Sequence, residues 1–367
     1  MRTQSRTPLY FQIYDDLKKK IGSGEYSPGT FLPSERELHE HYRVERATVR
    51  RALDLLVKDD LLVKIPGAGS KVKDAADSEN ATAVSASRST AKNNIAFILP
   101  GDAPEKITEP FTSNVFYHFE RECRKRNYHL FYANPTAEDC FSSDLFQSGL
   151  AGIVWVSRVS ANLIERAKAL GIPSVLISNA HPDCVSILCD NSSGIYQAVE
   201  HLVSLGHQKI AYLGGIPDYL NAMERRDGYL SAVTHFGLPY LPELVLTGDW
   251  SFDSGRTCVE ALLKQTQDFT AICCANDTMA LGAMKALSAA GLSVPKDVSV
   301  IGFDDIESCR YSTPPLSTIR IDTAAFARQI MRSLSDLISD HEAVSPVKIL
   351  MQVQLCIRES TAPAENA

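Results

Sequence analysis

Between residues 94 and 360, short β-branched runs alternate with amphipathic stretches, and this alternation restricts the chain to one class of fold. NIAFIL (94–99), YHLFYA (128–133), GIVWV (152–156), SVLIS (174–178), KIAYLG (209–214), AICCA (271–275) and VSVIGF (298–303) read as strands. Between them, SGIYQAVEHLVSLG and DTMALGAMKALSAAG space their apolar residues as helices do and end on Gly. Strands separated by helices pair in parallel and are covered by those helices, so the expected class is α/β. About 270 residues of this pattern is more than one core usually takes, which predicts two α/β lobes. In such folds a ligand binds at the C-terminal ends of the strands, and between the lobes where there are two.

Residues 74–93 break the pattern. DAADSENATAVSASRSTAKN is rich in Ala, Ser, Asp and Asn, and Val84 is its one large apolar residue. Such a stretch cannot bury enough surface to repay its ordering entropy, and it reads as a linker. It separates a small domain, 1–73, from the two-lobed domain, 94–360. With 367 residues and 44% hydrophobic content, both parts can bury cores. Charge is unevenly divided: residues 1–73 hold 14 Lys and Arg against 10 Asp and Glu, whereas the whole chain carries −7. A basic first fifth on an acidic protein confines polyanion contact to the N-terminus. No apolar run approaches the roughly 20 residues of a membrane helix. The first residues, MRTQSRTPLYFQIYDDLKKK, lack the apolar stretch of a secretion signal, so a cytoplasmic protein without membrane contact is expected.

The nine cysteines form no CxxC pair and join no Cys/His ligand pattern, so reduced thiols in a core are expected rather than structural zinc. Cys273 and Cys274 sit inside an apolar strand, where a thiol packs rather than reacts. His39-Glu40-His41 lacks the HExxH spacing that puts two imidazoles on one helix face, and Gly67-Ala68-Gly69-Ser70-Lys71 lacks the spacing of a phosphate loop. An enzyme is not expected, nor is a metal or a cofactor.

Three helical segments fit residues 9–21, 34–42 and 46–59. The second opens on Ser34-Glu35-Arg36-Glu37, a capping box in which Ser34 and Glu37 satisfy each other's backbone N–H groups. Leu38 and Tyr42 face inward at i, i+4. After the short turn Arg43-Val44-Glu45, Val49, Leu53 and Leu56 form one apolar stripe while Arg46 and Arg50 fall on another face. Two short helices with a tight turn, the second presenting cations from its first turns, suit entry into a major groove. LLVKIPGAGSKV then reads as two strands around a Gly-containing turn.

Residues 7–72 resemble the winged helix-turn-helix of the GntR family of regulators, through PLYFQIYDDLKKKI, GEYSPGTFLPSERELHEHYRVERATVRRALDLLVKDDLL and the Gly-x-Gly turn of the wing. The resemblance implies that Arg36, Arg46, Thr48 and Arg50 meet DNA, and that Gly67 and Gly69 let the wing approach the minor groove. Arg can grip guanine O6 and N7 bidentately, at about 1–3 kcal/mol of discrimination per pair. Thr48 can donate to phosphate, and the remaining cations supply a salt-dependent term. Taken singly, each of these arginines reads rather as a cation solvating a helix face; the four residues together inside a capped helix-turn-helix read as DNA contacts. Two positions depart from the family. Glu45 stands where Ser or Thr usually caps the recognition helix, and Ala68 replaces a commonly basic residue of the wing tip.

Residues 94–360 resemble the effector domains of the LacI/GalR family, which share the fold of periplasmic sugar-binding proteins. AVEHLVSLGHQKIAYLGG, RRDGYLSAV, CANDTMALGAMKALSAAGLSVPKDVSVIGFDD and YSTPPLSTIRID carry the likeness. The helix-turn-helix proper to that family does not occur, so the layout resembles a GntR head on a LacI-type body, as in arabinose repressors. Carried over by position, the effector contacts are Arg225 (RRDG), Trp250 (GDWS), Asn276 (CAND) and Asp304 (GFDD). In the first lobe Phe111 is a candidate cleft wall, and Ser178 stands where some sugar-responsive relatives place an Asp. The set suits a sugar: Asp304 accepts from hydroxyls, Arg225 donates, Asn276 does both, and Trp250 offers a face to C–H surface. Each residue has a second reading at this point. Trp250 could pack in a core, Asn276 or Asp277 could cap the helix that starts near Thr278, Asp304 and Asp305 could cap a turn, and only one of Arg225 and Arg226 should face the cleft.

The resemblances together imply a transcription regulator. It is expected to repress from a pseudo-palindromic operator in double-stranded DNA as a homodimer, and to let go when a monosaccharide closes the lobes. A purine or another metabolite acting as co-repressor is the alternative effector. A sugar-transport binding protein shares the two-lobed body, but needs a secretion signal and no DNA-binding head.

Overall fold

Val49, Leu53 and Leu56 recur at helical spacing and are buried, and the first unit is organised around them. They lie on α3 (Arg46–Lys58), which packs against Ile13, Tyr14 and Leu17 of α1 (Leu9–Gly22) and Leu38 of α2 (Glu35–Tyr42). The computed structural model describes residues 9–59, 61–65, 69–73, 93–99, 107–134, 149–339 and 345–364. The chain divides into two compact units, Met1–Ala91 and Lys92–Ala367.

The start of α2 has the expected reciprocal cap. Ser34 Oγ accepts from the Glu37 N–H at 3.3 Å, and Glu37 Oε2 accepts from the Ser34 N–H at 2.8 Å. Arg43 ends the helix in the left-handed region, at φ 52°, and turns the chain into α3. A two-stranded antiparallel hairpin follows, β1 (Leu62–Ile65) and β2 (Gly69–Val72), with buried Leu62 opposite Val72. Gly69 has φ 114°, a conformation that side chains rarely adopt, so the wing needs a glycine there. Gly67 and Ala68 lie outside the described residues, as does nearly all of the stretch read as a linker.

In the second unit every residue of β5 (Leu150–Val156) is buried, as in a parallel strand covered on both faces. Its sheet also holds β3 (Asn94–Ile98), β4 (His129–Ala133), β6 (Ser174–Ile177), β7 (Val185–Cys189) and β13 (Lys348–Met351). The order is β13-β7-β6-β5-β3-β4 and every pairing is parallel. The second sheet contains β8 (Ile210–Gly214), β9 (Val245–Thr247), β10 (Ala271–Cys274), β11 (Ser299–Asp304), β12 (Ser317–Arg320) and β14 (Gln354–Cys356). Its order is β14-β12-β11-β10-β8-β9, with β14 alone antiparallel.

Helices α4 (Pro110–Lys125) and α5 (Ala161–Ala169) belong to the first sheet, and α6 (Asn191–Ser204), α7 (Leu220–His235), α8 (Phe252–Gln265) and α9 (Asp277–Ala289) to the second. Helix α10 (Thr323–Ser339) follows β12 yet packs on α4 and the first sheet. The chain therefore passes between the sheets three times, after β7, after β12 and after β13. The fold is α/β, a winged helix-turn-helix unit followed by a two-lobed unit.

Five strands of the two sheets, β7, β9, β12, β13 and β14, are not among the runs read as strands, although VSILC of β7 and KILM of β13 are apolar enough to be. They are three to five residues long, and VLT, STIR and QLC carry too few apolar residues to mark themselves.

Candidate functional site

A cavity of about 260 Å³ is lined from both sheets of the second unit. Parallel strands end here and helices begin here, which leaves backbone donors and short polar side chains facing one space. Val156 and Ser157 close β5, Ser178 follows β6, and Phe111 and Thr112 open α4. From the second sheet come Asn221 and Arg225 on α7, Trp250 just before α8, Asn276 before α9, and Asp304 at the end of β11. All six residues expected from the sequence, Arg225, Trp250, Asn276, Asp304, Phe111 and Ser178, line this cavity.

Arg225 is 5% exposed and held on every side. Its Nε donates to Asn191 Oδ1 at 2.9 Å, one terminal nitrogen donates to the Ala275 carbonyl, and the other reaches Asp304 Oδ1 at 3.4 Å. The guanidinium also stands over the Phe303 ring. A charge this deep is tolerable only with such partners. Arg226 is exposed, so one arginine of the pair faces the cavity, as expected.

Asp304 and Asp305 have separate tasks. Asp304 adopts φ 113°, which turns its carboxylate towards Arg225; burial pushes its proton affinity up and Arg225 opposes that. Burial pushes the Asp305 carboxyl up, but its pairing with Arg358 and, at 2.6 Å, with Arg320 outweighs that and holds it below the usual range. Asp277, wholly buried at the start of α9, accepts from the Thr318 hydroxyl at 2.6 Å and the Ile306 N–H at 2.9 Å. Burial and the nearby Asp304 charge push its carboxyl up. Asp277 thereby ties the loop after Asp304 to α9.

Asn276 caps α9 through Oδ1, which accepts from the Met279 N–H at 2.9 Å. Its amide nitrogen donates to the Trp250 carbonyl at 3.0 Å, so the same side chain positions Trp250. Trp250 is 7% exposed with φ 73°, and its indole Nε1 finds no partner among the described residues. Packing and cavity lining are both true of it.

Seven described residues other than glycine have positive φ, and Ser157, Ser178, Trp250 and Asp304 are four of them. Such conformations cost roughly 1–3 kcal/mol each and persist where the surroundings over-determine them. Sequence reasoning missed Ser157, Asn191 and Asn221. Asn221 lies one helical turn before Arg225 and shares its face, a spacing that could have been read; nothing in GIVWVSR marks Ser157.

In the first unit the expected DNA-facing residues lie on or beside α2 and α3. Arg36, Arg46 and Arg50 are exposed and Thr48 is half-buried. Arg36 pairs with Glu40 at 3.2 Å and Arg50 with Glu35 at 2.8 Å. Glu45 occupies the N-cap of α3 without capping through its side chain. Among the described residues no His, Cys, Asp and Glu group could hold a metal, and no helix is long and apolar enough to cross a membrane.

Residues 9–72 match the family of bacterial regulatory proteins named gntR, and residues 199–361 match the periplasmic binding protein-like domain. The transcriptional repressor PurR of Actinobacillus pleuropneumoniae is 32% identical over 259 residues, which cover 68% of this chain and 77% of that protein. A LacI family regulator from Enterococcus faecium, solved with bound ribose, superposes with a TM-score of 0.66 at 28% identity, over 74% of this chain and all of that one. The chain belongs to the LacI-type transcriptional regulators and carries a gntR-family head. The probable repressor ExuR of Bacillus subtilis is 36% identical over 213 residues, 57% of this chain. The alignments span between 44% and 64% of the length of three curated relatives, ExuR among them. These relatives of the LacI-type chain are named as regulators of transcription rather than as enzymes.

Proposed function

We propose that this LacI-type regulator is a sugar-responsive repressor. The 1–73 domain holds operator DNA, the 94–360 domain holds a monosaccharide between its lobes, residues 74–93 link the two, and a homodimer is the working form in the cytoplasm. The observation that carries the reading is the convergence of Arg225, Trp250, Asn276 and Asp304 with Phe111 and Ser178 on one cavity. At about 260 Å³ it falls near the lower end of small-molecule sites, which suits a single ring. Asp304 offers a carboxylate to hydroxyl donors, Arg225 offers its remaining hydrogens to oxygens, and the Trp250 indole offers an apolar face. The ribose bound by the Enterococcus faecium relative supports the same class of effector.

On DNA, α3 of each protomer enters a major groove, with Arg46 and Arg50 at base edges or phosphates, Thr48 on the backbone and Arg36 beside them. Gly67 and Gly69 bring the wing to the minor groove. Closure on the sugar favours a body conformation that spaces the two heads poorly for the operator, and repression is relieved. No reaction is assigned. The Cys273 and Cys274 thiols are wholly buried and pushed up by desolvation, so they pack rather than attack.

A second reading has a specific observation behind it. Trp250 and Phe111 offer two aromatic walls on which a purine could stack. A thermal-shift screen of the full chain against pentoses, hexoses, uronic acids, sugar phosphates and purines separates the two. A hundredfold excess over Kd stabilises by about 2.7 kcal/mol. A shift with one neutral sugar that also weakens binding to the operator supports repression relieved by sugar; a shift with a purine that strengthens it supports co-repression.

A further inference from the structure

We propose that Ser157 reads one hydroxyl of the effector from the first lobe, and that the end of the effector turned to this lobe is uncharged. The inference deepens the sensor reading and rests on it. Ser157 lines the cavity just after β5, is 1% exposed, and its Oγ has no hydrogen-bond partner among the described residues. A buried hydroxyl without a partner is destabilising and rarely persists without a reason. The same residue carries φ 62°, a left-handed backbone that few residues other than glycine adopt. Two costs at one small polar residue, on a cavity wall, are both accounted for if a bound ligand completes the hydrogen bond. A ligand hydroxyl can either donate to Oγ or accept from it.

Other walls of the cavity repeat the pattern. Asn221 Oδ1 and Trp250 Nε1 are likewise buried without partners, one an acceptor and one a donor. Three orphaned atoms around one space therefore offer an acceptor, a donor and a group that does both, which is the complement of a polyol. Trp155 and Tyr212 also hold orphaned atoms, but neither lines the cavity.

Charge decides what faces Ser157. Among the described residues, the lining residue of the first lobe that bears a charge is Glu109, at the N-cap of α4. Among the described residues the one cation of the lining is Arg225, which lies on α7 and is already engaged with Asp304. The neighbouring Arg158 stacks over Tyr219 outside the lining, so among the described lining residues a carboxylate or phosphate beside Ser157 would be desolvated with no opposing charge.

The test uses Ser157→Ala and Ser157→Gly in the full chain. Melting is recorded without additives, and binding by tryptophan fluorescence with D-ribose, D-glucose, D-galactose, D-glucuronate and D-glucose 6-phosphate. The alanine variant is expected to melt no lower than the wild type, because Oγ has no partner to lose, and the glycine variant to melt no lower than the alanine variant, because glycine accepts the left-handed backbone. Both should bind the neutral sugar that the wild type binds about tenfold more weakly, roughly 1.4 kcal/mol. Unchanged affinity, or a lower melting temperature in Ser157→Ala, overturns Ser157 as the reader. Tighter binding of D-glucuronate or D-glucose 6-phosphate than of D-glucose overturns the uncharged end. No binding of any probe to the wild type counts against the sensor reading itself, and this one falls with it.

Discussion

The guanidinium carbon of Arg225 stands 3.7 Å from the centroid of the Phe303 ring, and the residue after that ring is Asp304. The aromatic face fixes the plane of the cation, and the cation then addresses Asn191, the Ala275 carbonyl and Asp304 from one position. A lysine keeps the charge but has neither the planar fork nor its stacking. Arg225→Lys should therefore lower effector affinity at least about 30-fold, in line with the 2–5 kcal/mol range for disturbing a buried charge pair. Operator affinity without effector should be unchanged. Calorimetric titration and a gel shift on the same preparation check both halves; equal loss in both would mean that the variant has misfolded rather than lost its site.

Asp277 should make the second unit less stable as pH rises. Burial and the Asp304 charge raise its carboxyl to about 8, whereas the unfolded chain titrates near 4. Between those values the folded state binds a proton that the unfolded state has released, so stability falls with increasing pH. The slope is clearest from about pH 7 to 8, because below that the buried His201 and His207, whose proton affinity burial lowers, make stability rise with pH and oppose it, and thiols ionise above it. The melting temperature of the effector-free protein should drop by a few degrees across that window, at roughly 2–4 °C per kcal/mol for a unit of this size. Asp277→Asn should flatten the dependence. A variant that keeps the wild-type slope would place the titrating group elsewhere.

Gly215, just after β8, leaves room for the Trp250 indole. A Cβ at this position would come within 2.2–2.5 Å of three ring carbons, closer than real contacts allow. Gly215→Ala should push the indole out of its place and weaken effector binding by about tenfold or more, while the fold survives with a loss on the order of 1–3 kcal/mol. Near-ultraviolet circular dichroism would register the moved ring, and a titration the lost affinity. Wild-type affinity with a moved ring would show that Trp250 lines the cavity without serving it.

The strong periodic signals carried the fold. The stripe of Val49, Leu53 and Leu56, the box at Ser34 and Glu37, and runs such as GIVWV appear in the structure where the sequence puts them, because burial and capping are local demands that leave local marks. Short strands such as VLT and STIR were invisible because their pairing is decided by neighbours distant in sequence. The cavity divides in the same way. Arg225, Trp250, Asn276 and Asp304 sit in motifs and could be carried over, and all four line it. Ser157 could not be found in the sequence, since what distinguishes it is an orphaned oxygen and a left-handed backbone, both set by tertiary packing. The double use of Asn276, as helix cap and as brace for Trp250, is equally a property of the folded chain.

Arg46 and Arg50 differ in what they must give up to reach DNA. Arg50 is engaged with Glu35 at 2.8 Å, whereas Arg46, beside Glu45 at the start of α3, forms no ion pair among the described residues. Exposed pairs contribute little to folding, so Arg50→Ala should leave the melting temperature unchanged. If Arg50 meets phosphate, its loss weakens binding to operator and random duplex alike and reduces the slope of log K against log salt by about 1. Arg46→Ala should instead remove the preference for the operator, at about 1–3 kcal/mol if it grips a guanine edge, with affinity for random duplex reduced far less. Effector binding should survive both changes. Fluorescence anisotropy on operator and scrambled duplexes at several salt concentrations separates the roles: an Arg46→Ala variant that weakens both duplexes equally makes Arg46 a backbone contact and moves the reading of bases elsewhere on α3.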